Sequence, residues 1–157
     1  MDNTTFVRSN RQGDPEECRQ QEVPMLNLIN SDHHKIFRSG MWSSRYYQYG
    51  KWNGPFEFML SFDPQTWQLR GWGQDNVGKF NIIGNYSSET LRMGITKTYI
   101  RGTGDKRQNL GHDVTIQLTG NTRTGIFEGK WYVNTNRYAG EDRFELQFVR
   151  DCQYYDN

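Results

Sequence analysis

Apolar and polar residues alternate through most of this chain, most regularly between Trp67 and Tyr86. Trp67 and Leu69 fall on one face, with Gln68 and Arg70 on the other. After a turn at Gln74-Asp75-Asn76-Val77-Gly78, Phe80 and Ile82 alternate with Asn81 and Ile83. Period-two alternation around a turn that ends in glycine predicts a β-hairpin. The pattern extends upstream to a long first strand over 37–49, with Trp42, Ser44, Tyr46 and Gln48 opposite Arg45, Tyr47 and Tyr49. Lys51 to Gly54 reads as a turn, and a second strand over 55–62 aligns Phe56, Phe58, Leu60 and Phe62. Downstream, strands over 91–100, 111–119, 125–133 and 142–150 align Leu91, Met93 and Ile95, then Val114, Ile116 and Leu118, then Phe127, Trp131 and Val133, then Phe144, Leu146 and Phe148. A charged loop over 101–110 separates the first two of these. Strands joined by tight turns pair antiparallel, and a meander this long loses its exposed edges by closing on itself. The expected fold is all-β: a single antiparallel, up-and-down, eight-stranded barrel over 35–150.

Residues 1–34 break the pattern and read as a largely irregular N-terminal arm, and 151–157 as a short C-terminal tail. Asp14-Pro15-Glu16-Glu17 supplies an N-cap, an N1 proline and an N3 glutamate, the start signals of a short helix near 15–21. Beyond it, Met25, Leu26, Leu28 and Ile29 form an apolar cluster outside the strand pattern. That cluster either covers one end of the barrel or docks on a protein partner.

Composition narrows the field without naming a function. Aromatic residues make up 15% of the chain, with 16 glycines, which suits large rings on alternating positions and close strand approaches. Nineteen basic residues against eighteen acidic leave a net charge of +1, which argues against bulk electrostatic attraction to nucleic acid or an anionic membrane. No apolar run reaches the roughly 18 residues that span a bilayer, and the expected setting is cytoplasmic. There the two cysteines, Cys18 and Cys152, are expected as free thiols.

Three stretches carry a resemblance: G-M-W-S-S-R-Y-Y-Q-Y-G at 40–50, D-N-V-G-K-F-N-I-I-G-N-Y at 75–86 and G-I-F-E-G-K-W at 125–131. They resemble the Gly-x-Trp and Gly-x-Tyr strand signatures of avidin-like and lipocalin-like (calycin) barrels. The resemblance implies an eight-stranded barrel, and calycins bind small, often hydrophobic molecules while avidins bind biotin. An avidin-type ligand set has no residue-by-residue match in this chain. A ligand held inside such a barrel would meet Trp42, Tyr46, Phe58, Phe80 and Trp131.

Catalytic chemistry has little to build on. His33-His34 and His112-Asp113 are adjacent pairs that point opposite ways in extended chain, and there is no HExxH or CxxC spacing, so no metal site or cofactor is expected. Asp75, Asp113, Glu128, Glu141 and Asp142 are the candidate carboxylates; those in turns or at strand ends are expected to be solvated, and Glu128 with Lys130 to sit on the outer wall. The expected function is a non-catalytic binding or assembly subunit, a β-barrel module docked on protein partners through Met25, Leu26, Leu28 and Ile29. The alternative is a carrier of a small, mostly hydrophobic molecule. Single-stranded nucleic-acid binding through Arg45, Tyr47 and Tyr49 with the loop cluster Arg101, Lys106 and Arg107 is a third reading, and no membrane is expected to be involved.

Overall fold

Strand alternation translates directly into a closed barrel. A computed structural model describes residues 34–152. A 3₁₀ turn, His34–Ile36, leads into β1 (Gly40–Gln48), β2 (Lys51–Asp63), β3 (Gln68–Gln74), β4 (Lys79–Ser87), β5 (Arg92–Tyr99), β6 (Asp113–Gly120), β7 (Ile126–Asn134) and β8 (Ala139–Arg150). Each strand pairs antiparallel with the next, and β1 pairs with β8 to close the barrel. The arm's helix near 15–21, its cluster Met25, Leu26, Leu28 and Ile29, and residues 153–157 of the tail lie outside the described residues.

Several expected boundaries move: β1 starts at Gly40 and not at 37, and β8 starts at Ala139 and not at 142. Lys51 to Gly54, read as a turn, belongs to β2, because Gln48 pairs with Lys51 and the chain reverses within Tyr49-Gly50. Those two residues have φ of 52° and 76°, the left-handed pair that a two-residue hairpin loop requires. A register shift between Ser44 and Tyr46 absorbs the extra length. Trp67 leaves the face expected of it: at φ 58° it ends the turn before β3, exposed, with its ring 5.3 Å from that of Tyr86.

Inward-facing rings fill the lower barrel. Phe37, just after the 3₁₀ turn, lies 5.8 Å from Phe62, 4.8 Å from Tyr86 and 5.3 Å from Phe127, centroid to centroid. Trp42 packs on Phe62 and Phe127 at 5.7 Å each and donates its indole N–H to Arg38 O at 2.8 Å. Higher up, Phe58 meets Phe80 edge-on at 5.5 Å. Rings at these separations interlock without leaving room for a guest. The end that carries the 3₁₀ turn and the β2–β3, β4–β5 and β6–β7 connections is therefore plugged. The opposite end carries β1–β2, β3–β4, β5–β6 and β7–β8, and it is different.

Candidate functional site at the open end of the barrel

Period-two alternation on β5 puts Met93, Ile95, Lys97 and Tyr99 on the inner face, all buried. A lysine inside an apolar barrel needs a counter-charge. Asp75, the first residue of the β3–β4 turn, supplies it, with Lys97 Nζ donating to Asp75 Oδ2 at 2.8 Å. Tyr99 donates its hydroxyl to the same oxygen at 2.7 Å. The other carboxylate oxygen, Oδ1, accepts the backbone N–H groups of Val77 at 2.9 Å and Gly78 at 3.3 Å, an Asx-type turn that fixes the acid in place. The expectation of a solvated turn carboxylate thus fails for Asp75, because the turn folds over the barrel mouth and not away from it.

Aromatic faces complete the cage. Lys97 Nζ lies 4.7 Å from the Phe80 ring centroid, 4.8 Å from that of Tyr99 and 6.0 Å from that of Tyr46. Burial lowers the Lys97 pKa, and Asp75 offsets part of that. Tyr46 donates to Asn76 Oδ1 at 2.6 Å, and burial pushes its hydroxyl up to about 12. Tyr99, buried beside the Asp75 carboxylate, moves further in the same direction. These hydroxyls stay protonated and act as donors.

Above this floor lies a cavity of about 320 Å³. Tyr46, Lys97 and Tyr99 form its base; Val77, Leu110, Val114, Trp131, Val133 and Phe144 form apolar walls; Gln48, Tyr49, Arg107, Gln108, Arg137 and Tyr138 ring the mouth. Trp131 is held by its indole N–H, which donates to Tyr47 O at 2.9 Å, and Gln48 Nε2 donates to the Tyr138 hydroxyl at 2.9 Å. His112 also lines the space, its ring 5.1 Å from that of Tyr99. Its Nδ1 accepts the Leu110 N–H at 3.4 Å, so the neutral ring carries its proton on Nε2. Burial, and then the Lys97 charge, push the His112 pKa below its usual value.

The β5–β6 connection, the charged loop expected over 101–110, is tied to the barrel. Asp105 N donates to Val77 O at 2.9 Å and Lys79 N to Thr103 Oγ1 at 2.9 Å. Buried Asn109 donates from Nδ2 to Ile100 O and Thr103 O, both at 2.8 Å, and accepts the Gly111 N–H at 2.9 Å. Gly104 at φ 66° lies so close to Val77 O that a Cβ has no room. This segment is a fixed wall of the cavity.

Comparison with protein-family models, with curated proteins and with solved structures found no match.

Of the ligand-contacting residues expected from sequence, Tyr46 and Trp131 line the cavity, while Trp42, Phe58 and Phe80 sit in the packed barrel below it. The sequence pattern assigns no site role to Lys97 or Tyr99, although both stand in phase with Met93 and Ile95, and it brings in His112 only as a pair with Asp113. Arg45 and Tyr47 lie on the outer wall, where Arg45 bonds Glu145 at 2.6 Å and covers Trp52 at 4.2 Å, and Arg143 covers Tyr47 at 4.6 Å; Tyr49 stands apart, at the cavity mouth. Glu128 and Lys130 face outward as expected, Lys130 lying 3.8 Å from Glu141. Among the described residues, no group of three or more His, Cys, Asp or Glu side chains is placed to hold a metal, and no helix is long and apolar enough to cross a membrane. Cys152, expected as a free thiol, is disulfide-bonded; the chain's other cysteine, Cys18, lies outside the described residues.

Proposed function

We propose that this barrel is a non-catalytic binding module that admits one small, largely apolar molecule through its open end. The observation that carries this reading is the cavity of about 320 Å³ above a ring-packed floor. Binding pockets of natural ligands begin near roughly 300 Å³, and an apolar cavity of about 150 Å³ already holds benzene. The space therefore suits a body of about two fused rings. Its preformed walls favour uptake without refolding, because the Asp75–Lys97–Tyr99 cluster and the loop around Asn109 are bonded before any ligand arrives. The reading accords with the calycin-like carriers that the strand signatures resemble better than with the biotin binders, whose ligand set has no residue-by-residue match in this chain. The disulfide at Cys152 favours an oxidising compartment over the cytoplasm, since such bonds seldom persist among reducing thiols.

The test is a fluorescence titration with the neutral two-ring probe 2-naphthamide. Saturable binding at one site per chain, quenching Trp131 and abolished by Leu110→Trp, supports the reading. Absence of saturable binding in the full-length protein, or binding that Leu110→Trp leaves intact, overturns it.

A further inference from the structure

The cavity's charge is lopsided in a chain that is nearly neutral overall. Its lining carries Lys97, Arg107 and Arg137 and no aspartate or glutamate, although the chain holds eighteen acidic residues. The three cations are not equivalent. Lys97 is matched by Asp75 at 2.8 Å, so the floor of the cavity carries no excess charge. Arg107 and Arg137 are exposed at the mouth, and among the described residues their guanidinium groups have no ion pair or hydrogen bond. Elsewhere the barrel uses arginines structurally: Arg38 pairs with Asp151, Arg45 with Glu145 and Arg150 with Glu57, while Arg101 bonds Leu110 O.

The two mouth arginines are also held on fixed backbone. Arg107 N donates to Asp105 Oδ1 at 2.8 Å, within the loop that Asn109 ties down. Arg137 N donates to Thr135 Oγ1 at 3.2 Å, inside a turn closed by Thr135 N to Tyr138 O at 2.7 Å. Their side chains keep the freedom to swing over an entering molecule. Resting on the ligand-binding reading above, we propose that the cavity selects an organic carboxylate: its apolar body lies against Leu110, Trp131 and Val133, and its anionic end stays at the mouth between Arg107 and Arg137. The orientation follows from desolvation. A carboxylate driven to the floor would give up water beside an acid that already occupies Lys97, whereas at the mouth it keeps part of its hydration and meets planar guanidinium donors that fit its two oxygens. The same cations draw an anion in from solution without any bulk positive charge on the chain.

Titrations of the full-length protein at low ionic strength with 2-naphthoate and with its neutral counterpart 2-naphthamide separate this inference from the one it rests on. The wild-type protein is expected to bind the carboxylate about tenfold or more tightly than the amide, the scale of one charge-assisted hydrogen bond. In the double variant Arg107→Gln/Arg137→Gln that preference, read as the ratio of the two affinities, collapses to near equality. Both positions are exposed, and an unchanged melt of the variant shows that the barrel is intact. Equal binding of the two probes by the wild type, or a preference that survives in the double variant, overturns the carboxylate inference and leaves the pocket reading standing. Carboxylate binding that Leu110→Trp does not weaken places the anion outside the cavity and also overturns it. If neither probe binds, the pocket reading itself falls and this inference falls with it.

Discussion

Asp75 and Lys97 bear the heaviest electrostatic cost in the barrel, because each is charged and nearly sealed from water. Removing one partner of a buried pair costs more than the pair contributes, since the survivor keeps its desolvation penalty. Lys97→Met is therefore expected to lose about 3–5 kcal/mol in urea unfolding. Asp75→Asn in the same background should recover part of that loss. The asparagine oxygen still accepts from Val77 and Gly78, and no uncompensated charge remains. A loss below about 1 kcal/mol for the single variant, or a double variant less stable than the single, would show that the pair is solvated in practice. His112 gives a second test through pH. Burial and the neighbouring Lys97 depress its pKa, so the unfolded chain takes up a proton first as the solution is acidified. Stability should thus be unaffected by this group above its unfolded value of about 6.5, and fall as pH drops below it towards the folded value. His112→Gln should flatten the slope of melting temperature against pH between about 6.5 and 5, ahead of most carboxylate titration. An unchanged slope would mean that the imidazole is as well hydrated in the barrel as in the unfolded chain.

The β5–β6 connection is the element on which the cavity mouth depends, and Asn109 is its tie. Asn109→Ala removes three bonds from Nδ2, to Ile100 O, Thr103 O and Thr103 Oγ1, and one to Oδ1. It is expected to cost about 2–4 kcal/mol by leaving part-buried backbone groups unpaired, and to weaken 2-naphthamide binding by freeing Leu110. Retained stability with full binding would show that the loop's backbone bonds suffice without the side chain. The strands themselves were legible because each turns one face to the core, so Phe58, Leu60 and Phe62, or Val114, Ile116 and Leu118, recur at every second residue, although Met59 and Ser61 on the other face of β2 are buried as well. The misread turn at Lys51 to Gly54 shows the limit of that signal. Asn53-Gly54-Pro55 has turn composition, yet Tyr49-Gly50 has already reversed the chain, and pairing with β1 overrides local preference. The site was harder to read for a related reason. Alternation placed Lys97 inward, but Asp75 lies 22 residues away, and only barrel closure brings a turn over the end of β5. Sequence spacing alone cannot pair an inward lysine with a distant turn acid.

At the scale of the whole molecule, closure makes the β1–β8 seam a part of the core and not an afterthought. Trp42 pairs with Phe148 and Tyr46 with Phe144 across it, and the Arg38 guanidinium covers the Phe148 ring at 4.1 Å. One continuous buried cluster runs from Phe37 through Trp42, Phe62 and Phe127 to Phe80 and Tyr99. Opening the seam would expose two strand edges and the inner faces together, which is costly for both backbone and rings. The barrel should therefore unfold as a single unit, without an early step in which β8 peels away. Leu146→Ala on β8 and Leu69→Ala on β3 probe this, because both side chains are fully buried on different arcs of the wall. Each is expected to cost about 2–5 kcal/mol. In native-state hydrogen exchange, each should lower the opening free energy of the slowest amides on β1, β4 and β8 by the same amount. The surface ion pairs at the seam, such as Arg45 with Glu145, should matter far less, since exposed pairs contribute about 0–1 kcal/mol. If Leu146→Ala instead speeds exchange only on β1 and β8 while β3 and β4 keep wild-type protection, the seam opens on its own. A route into the barrel would then exist through the wall as well as through the mouth.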